Sequence, residues 1–328
     1  MLFFPFRVDL NFNRIPLLTI LICVICLFVF IKQEASFADM ENASKQYCQQ
    51  DHERMFWLVI EKVYGERDAE ACSKIFYHIH SYKNPEKRID ELVQQADQFD
   101  SRTAVSSRVI IRGMLEEKYR EFRLSGVNKD LTTQLMYEPH SYNLLNMITA
   151  AFAHGSWEHL LGNLFFFFAF AASIEMILGM LYYVLIFGSL AIGTHLSYSL
   201  AMVNINEALP TLGLSGVVMG MIGVFVYLMP RINIRCFLWF LVIIRIVKVP
   251  AWLLAAWYVS WDIYALYFSE NQSAINFIAH VSGATIGFGL GLLFLVERKA
   301  KLDRDIQLFH QAEAQKEEEL QHGNDDKK

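Results

Sequence analysis

Two side chains that could do covalent chemistry lie inside long apolar stretches of this 328-residue chain. Ser215 is near the start of the apolar run 212–229, and His280 is near the start of the run 275–296. A serine hydroxyl becomes a nucleophile when a neutral imidazole within hydrogen-bond distance accepts its proton. Runs of this length have the dimensions of membrane-spanning helices, so the sequence predicts a catalytic serine–histidine pair inside a bilayer.

Glycines follow both Ser215 and His280, and their spacing predicts how the two helices pack. Glycines recur at intervals of three or four after the serine and after the histidine, at Gly216, Gly220 and Gly223 and at Gly283, Gly287 and Gly291. Such ladders let two helix backbones approach closely. Because Gly283 and Gly287 share a helical face with His280, the spacing predicts a close-packed seam that brings His280 to Ser215.

A second pair of polar residues could stabilise the negative charge that acyl transfer produces. His159 and Asn163 are four residues apart, so they lie on one face of a helix and can both donate hydrogen bonds. With the Ser215 backbone N–H they would form an oxyanion hole. Taken alone, the two residues would more often join helices by hydrogen bonds. Their combination with Ser215 and His280 favours the oxyanion hole.

Composition places these residues in a polytopic membrane protein. Hydrophobic residues make up 54% of the chain, aromatic residues make up 14%, and the mean hydropathy is +0.27. Six apolar runs are predicted to be transmembrane helices, at 15–31, 160–174, 180–203, 212–229, 250–268 and 275–296. The net charge of −5 and the scattered basic residues indicate no nucleic-acid partner. No metal or other cofactor is expected, since His52, His78 and His80 have no cysteine or carboxylate at ligand spacing.

The chain divides into four predicted segments. They are an N-terminal segment with an uncleaved first transmembrane helix (1–32), a helical extracytoplasmic insertion (33–140), a catalytic membrane core (141–298) and a charged cytoplasmic tail (299–328). Lysines and arginines after the fourth and sixth runs place both termini in the cytoplasm. The run 236–247 is predicted to be an interfacial helix. Cys48 and Cys72 could be bridged if the insertion faces an oxidising compartment.

Four motifs, in order, resemble those of the rhomboid intramembrane serine proteases. They are His154-x-x-x-x-His159-x-x-x-Asn163, Glu175-x-x-x-Gly179, Gly213-Leu214-Ser215-Gly216 and Ala279-His280-x-x-Gly283-x-x-x-Gly287. The resemblance covers residues 139–298 and, by position, the first apolar run. It implies an all-α, six-helix rhomboid-like bundle with a helical insertion between the first and second spans.

The resemblance also implies a role for each motif residue. The nucleophile is Ser215, the general base is His280, the oxyanion donors are His159 and Asn163 with the Ser215 amide, and the site-shaping residues are His154, Gly213 and Gly216. The implied substrates are single-pass membrane proteins, cut within the lipid bilayer near the extracytoplasmic end of their spans. Substrate access is predicted beside the run 250–268 and its following loop 269–274. The implied location is the bacterial inner membrane, and the sequence leaves the oligomeric state open.

Two positions depart from the family pattern. Leu145-Asn146 stands where a Trp-Arg pair is often found, nine residues before the first histidine of the motif. Met219 stands four residues after the serine, where an aromatic residue often packs against the histidine. Partners other than residue 219 are therefore predicted to orient His280.

Three other functions compete with that of a serine protease. The stretch from His154 to His159 is similar to an H-x-x-E-H zinc motif, but it is one residue too long and lacks a third ligand. A transporter would show buried charges along a pathway and repeated halves. The main alternative is a noncatalytic rhomboid-like protein that binds membrane proteins or controls their quality. That function predicts loss of Ser215 or His280, and both are present.

Overall fold

The protein is described by a computed structural model that covers residues 2–8, 15–82, 84–96, 108–205, 208–240, 243–268, 276–308 and 311. The described residues are mostly helical. The chain forms two compact units. The first, called the membrane unit here, comprises Met1–Leu27 with Tyr137–Lys328, and the second, called the insertion unit, comprises Phe28–Met136.

The described residues form the helices and strands named below. The helices, in chain order, are α1 (Leu17–Cys48), α2 (Arg54–Tyr64), α3 (Ala69–Ser81), α4 (Pro85–Gln95), α5 (Arg108–Leu124), α6 (Leu131–Leu135), α7 (Leu144–Thr149), α8 (Trp157–Leu178), α9 (Met180–Ala201), α10 (Ser215–Leu228), α11 (Ala251–Phe268) and α12 (Phe277–Phe294). The strands are β1 (Leu2–Val8), β2 (Asn233–Phe240) and β3 (Ile243–Pro250). A further helical stretch covers 296–308.

Several helices are suited to cross a lipid bilayer. Among the described residues, four helices are long and apolar enough to do so, namely α1, α8, α9 and α12. The protein is therefore an integral, multi-pass membrane protein. The predicted fourth and fifth spans are the helices α10 and α11, which lie outside that set of four. At about 1.5 Å per residue, the 14 residues of α10 extend only about 21 Å. The count of six spans stays a prediction.

α10 is the central helix of the membrane unit, since nearly all of its residues from Gly216 to Leu228 are buried. A helix that is apolar on every side is stable when other helices surround it. A Cβ atom on Gly283 would overlap the carbonyl oxygen of Gly216, and one on Gly287 would overlap the carbonyl oxygen of Gly220. The backbones of α10 and α12 therefore touch, which confirms the predicted glycine seam.

The run predicted as an interfacial helix is a β-hairpin. β2 and β3 pair in antiparallel fashion, with Asn233 opposite Pro250 and Phe240 opposite Ile243, and β1 pairs antiparallel with β2. The predicted helix over 236–247 is therefore wrong, and the fold is not all-α. β-branched residues dominate β3, whose sequence is IIRIVKVP. Such residues favour extended backbone because a helix restricts their χ1 rotamers.

A buried carboxylate holds the start of α1 against the end of α8. Glu175 Oε1 accepts a hydrogen bond from the Leu18 N–H, and its Oε2 accepts one from the Thr19 N–H, both at 2.8 Å. The Thr19 hydroxyl lies 2.8 Å from Oε2 and 2.9 Å from the Tyr183 hydroxyl. First-turn N–H groups have no partner within their own helix and favour negative charge. The other motif residue, Gly179, ends α8 with a φ of 80°, which glycine adopts without steric cost.

We expect Glu175→Gln to lower the free energy of unfolding of the membrane unit by about 2 kcal/mol, because hydrogen bonds to a charged group contribute about 1.5–3 kcal/mol each. The amide also turns N–H groups toward donors. Chemical unfolding in detergent micelles measures the change. Glu158→Gln removes the same charge from an exposed position on the same helix and is the control. Equal losses in the two variants would contradict the anchoring role.

The insertion unit Phe28–Met136 has its own apolar core. Each of α2, α3, α4 and α5 buries one apolar face. Aromatic rings fill the centre, with the Phe76 and Phe122 centroids 5.6 Å apart. Pro85 begins α4, and Gly126 follows α5 with a φ of 84°. Proline and glycine at these two positions separate consecutive helices of the insertion unit.

A disulfide joins Cys48, at the end of α1, to Cys72 in α3, across a Cα–Cα distance of 5.9 Å. The predicted bridge is confirmed. The two cysteines are separated by 24 residues, and closing such a loop stabilises a fold by about 3 kcal/mol in the chain-entropy model. Cys23, Cys26 and Cys236 are free thiols. Disulfides persist mainly in oxidising compartments, which is the setting predicted for the insertion.

Candidate active site

Ser215 is the first residue of α10 and remains partly accessible, while the residues that follow it are buried. Gly213 precedes it with a φ of 117°, which residues with a side chain rarely adopt. The Gly213 N–H donates to the Ala150 carbonyl at 2.8 Å and fixes this turn. N–H groups in the first turn of α10 have no acceptor within the helix, so they are available to a bound negative charge.

His159 and Asn163 project from the first two turns of α8 toward this turn. A Cβ atom on Gly213 would lie 2.8 Å from His159 Nε2 and 3.6 Å from Asn163 Nδ2. Asn163 is 8% exposed, and within the described part of the chain its buried Nδ2 has no hydrogen-bond partner. A buried donor without an acceptor costs about 1–3 kcal/mol. His159 and Asn163 thus place two hydrogen-bond donors beside Gly213, two residues before Ser215. Within the described residues, the Asn163 donor has no acceptor.

His154 lies behind His159, just before α8 begins. Its ring centroid is 5.2 Å from that of His159, and its Nδ1 is 3.3 Å from the Phe152 carbonyl oxygen. His154 is 1% exposed. Burial lowers the pKa of its imidazole to about 4, with a smaller contribution from the neighbouring His159. The His154 ring is therefore neutral at physiological pH, so it can support His159 sterically without repelling it by charge.

His280 lies in the first turn of α12, and two neighbours hold its ring. Its Nδ1 is 3.2 Å from the Asp262 Oδ2 on α11, and its ring is 6.2 Å from that of Phe277 in an edge-on arrangement. These contacts confirm that partners other than residue 219 orient the histidine. Asp262 was missed from the sequence. The available signal was its position as the one charged residue within the run 250–268, because a charge inside a span is rare and costly.

Four of the predicted site residues, Ser215, His280, His159 and Asn163, converge on one end of the α10–α12 seam. The backbone contact between Gly216 and Gly283 lies one residue after Ser215 and three residues after His280. Among the described hydrogen bonds, none joins the Ser215 hydroxyl to His280. Catalytic hydrogen bonds are often long without substrate and shorten when it binds. The predicted access loop 269–274 lies outside the described residues.

The combination of a glycine seam, a serine at a helix start and two donors beside it defines a membrane-embedded protein of the rhomboid type. A family model for the rhomboid domain matches residues 141–297. This part of the chain is therefore a domain of the rhomboid family, so the resemblance drawn from its motifs is confirmed. Most members of this family are intramembrane serine proteases, and noncatalytic members exist. Searches of curated proteins and of solved structures found no match to the chain.

Proposed function

We propose that this protein is an intramembrane serine protease with Ser215 as nucleophile and His280 as general base. The observation that carries the proposal is the buried Nδ2 of Asn163, which has no hydrogen-bond partner among the described residues and lies beside Gly213, two residues before the serine. A folded protein retains such a costly donor when a ligand or a reaction intermediate accepts its hydrogen bond. The oxyanion of a tetrahedral intermediate on Ser215 would be such an acceptor.

The residues divide the reaction between them. Attack of the Ser215 oxygen on a peptide carbonyl requires His280 to take the hydroxyl proton and later to give it to the leaving nitrogen. Asn163, His159 and the Ser215 N–H donate to the oxyanion. His154, together with Gly213 and Gly216, gives these groups their positions.

The proposed substrates are single-pass membrane proteins cut near the extracytoplasmic end of their transmembrane helix. An intact helix has its carbonyl groups hydrogen-bonded and shielded from Ser215, so only an unwound segment reaches the site. Glycine lowers helix stability by about 1 kcal/mol and proline by about 3 kcal/mol relative to alanine. The protease should therefore prefer substrates that carry helix-breaking residues in the upper part of their transmembrane helix. We place substrate access beside α11, with both termini of the protease in the cytoplasm and the insertion outside.

A pair of chimeric substrates tests this function. One has glycine and alanine in the upper part of its span, and the other has polyleucine there. We expect the purified protein in liposomes to cleave the first at least about tenfold faster, since stiffening the helix by a few kcal/mol makes unwinding rarer. The Ser215→Ala variant supplies the background. Equal rates for both chimeras, with no loss in that variant, would contradict the proposed substrate and mechanism.

The noncatalytic alternative makes a different prediction in the same experiment. A binding or quality-control protein would retain the glycine-rich chimera without cutting it. Co-purification of intact substrate with the wild-type protein, with no product over a long incubation, would favour that alternative. The presence of Ser215 and His280 at one end of one seam favours the protease.

A further inference from the structure

The carboxylate of Asp262 is the least expected group in the membrane unit outside the motif residues. It belongs to α11, its side chain is 11% exposed, and its partner His280 has a side chain that is 16% exposed. Removing a carboxylate from water costs several kcal/mol unless a partner compensates. Among the described residues, its hydrogen bond is the one to His280 Nδ1 at 3.2 Å. The partner of this buried group is therefore the candidate general base.

The geometry of this contact decides which ring nitrogen can act as the base. A carboxylate only accepts hydrogen bonds, so His280 Nδ1 must carry the proton that Asp262 receives. In the neutral ring the lone pair is then on Nε2. Nε2 is the atom that can take a proton from Ser215. Met219 stands where an aromatic residue often packs against this histidine, and it offers no aromatic ring to orient the imidazole. The hydrogen bond between His280 Nδ1 and Asp262 orients the imidazole instead.

We propose that Asp262 is a positioning residue that turns the Ser215–His280 pair into a triad, an inference that rests on the proposed function. When the Ser215 oxygen bonds to the substrate carbonyl carbon, its proton moves to His280 Nε2. The Asp262 carboxylate stabilises the imidazolium that results. The proton then passes to the leaving nitrogen as the carbon–nitrogen bond breaks. In the second half, water adds to the acyl carbon and gives a proton to Nε2, and that proton returns to the serine oxygen as the ester bond breaks.

A purely structural role for the same contact would have a different signature. The Asp262–His280 bond also joins α11 to α12, beside the proposed route of substrate access. A latch of that kind would restrain helix movement, so its removal would ease substrate access and leave or raise the turnover rate. A positioning residue instead affects the chemical step once substrate is bound.

The test compares kcat and KM for cleavage of the glycine-rich chimera by purified full-length variants. Asp262→Asn replaces an acceptor by an amide that can donate to Nδ1, which favours the tautomer with its proton on Nε2. We expect kcat to fall by about 10³- to 10⁴-fold, as in soluble triads, with KM within about threefold of wild type. Asp262→Glu keeps the carboxylate, so its kcat should be at least about tenfold higher than that of Asp262→Asn.

Matched variants separate the possible causes. Tyr258→Phe alters a side chain one turn earlier on α11 and should leave kcat near that of wild type. If Asp262→Asn does not yield a monodisperse, folded protein, Asp262→Ala replaces it and is assayed per folded molecule, with the folded fraction quantified by size-exclusion chromatography. An unchanged or increased kcat in the folded Asn or Ala variant overturns the triad. Wild-type activity that persists in Ser215→Ala overturns the proposed function itself.

Discussion

Ser215→Ala and His280→Ala are each expected to reduce cleavage of a membrane substrate to background, a loss of about 10⁶-fold if these groups contribute what their counterparts do in soluble serine proteases. Alanine at 215 cannot form the acyl intermediate. Without the imidazole, the serine hydroxyl keeps its proton. Because the two residues act as one unit, the double variant should lose no more than either single one. Reconstituted liposomes with a transmembrane substrate provide the measurement.

Ser282→Ala is the matched control for these two variants. Its hydroxyl is bonded within its own helix, 3.2 Å from the Ala279 carbonyl oxygen, two residues after His280. The substitution removes a serine hydroxyl from α12 without touching the proposed chemistry, and activity should stay near that of wild type. Ser215→Ala should also unfold at the wild-type temperature, and His280→Ala, which leaves the Asp262 carboxylate without its partner, is compared as purified folded protein. Full activity in either Ser215→Ala or His280→Ala would refute the assigned pair.

Gly287→Ala is expected to destabilise the membrane unit by about 3 kcal/mol or more and to abolish activity. The new Cβ atom would overlap the carbonyl oxygen of Gly220, which is backbone and cannot rotate away. α10 and α12 must then separate, and overpacking of this kind typically costs about 1–3 kcal/mol even where side chains can adjust. Separation also moves His280 away from Ser215. Unfolding in detergent and cleavage in liposomes report the two effects.

Gly289→Ala provides the control on the same helix. Among the residues that the structure describes, no heavy atom of a neighbouring element lies within 4 Å of a Cβ at this position. Its effect on the free energy of unfolding should stay within about 1 kcal/mol, the range of helix propensity between glycine and alanine. If the alanine variants at 287 and 289 unfold with the same free energy, the α10–α12 seam is not in backbone contact.

The candidate site was predictable from the sequence where its members share a helix. His159 and Asn163, and His280 with Gly283, are one turn apart, so helical geometry alone places each pair on one face. The contact between the glycine ladders followed because small residues have one common use between membrane helices. Asp262 could not be assigned to His280 in this way, since their contact depends on how α11 packs against α12.

The strands were missed for a related reason. A short apolar run is ambiguous between helix and strand. Arg245 within 236–247, and Lys248 directly after it, gave this run the polar pattern of an interfacial helix. Strand β2 pairs with β1 (Leu2–Val8), which lies more than 200 residues earlier in the chain. A pairing partner at that distance cannot be recognised from the local pattern. The Cys48–Cys72 bridge was foreseen only as one option, because sequence gives no distance between two cysteines.

Labelling with a fluorophosphonate probe tests the central claim most directly, because the probe reacts covalently with a serine that an adjacent base has activated. The purified full-length protein is incubated with the probe, and the modified peptide is mapped by mass spectrometry. The account predicts a single adduct on Ser215 that is absent from folded His280→Ala. A folded wild-type protein that cleaves the chimeric substrate but carries its adduct on another residue, or that forms no adduct on Ser215 at all, would contradict the account.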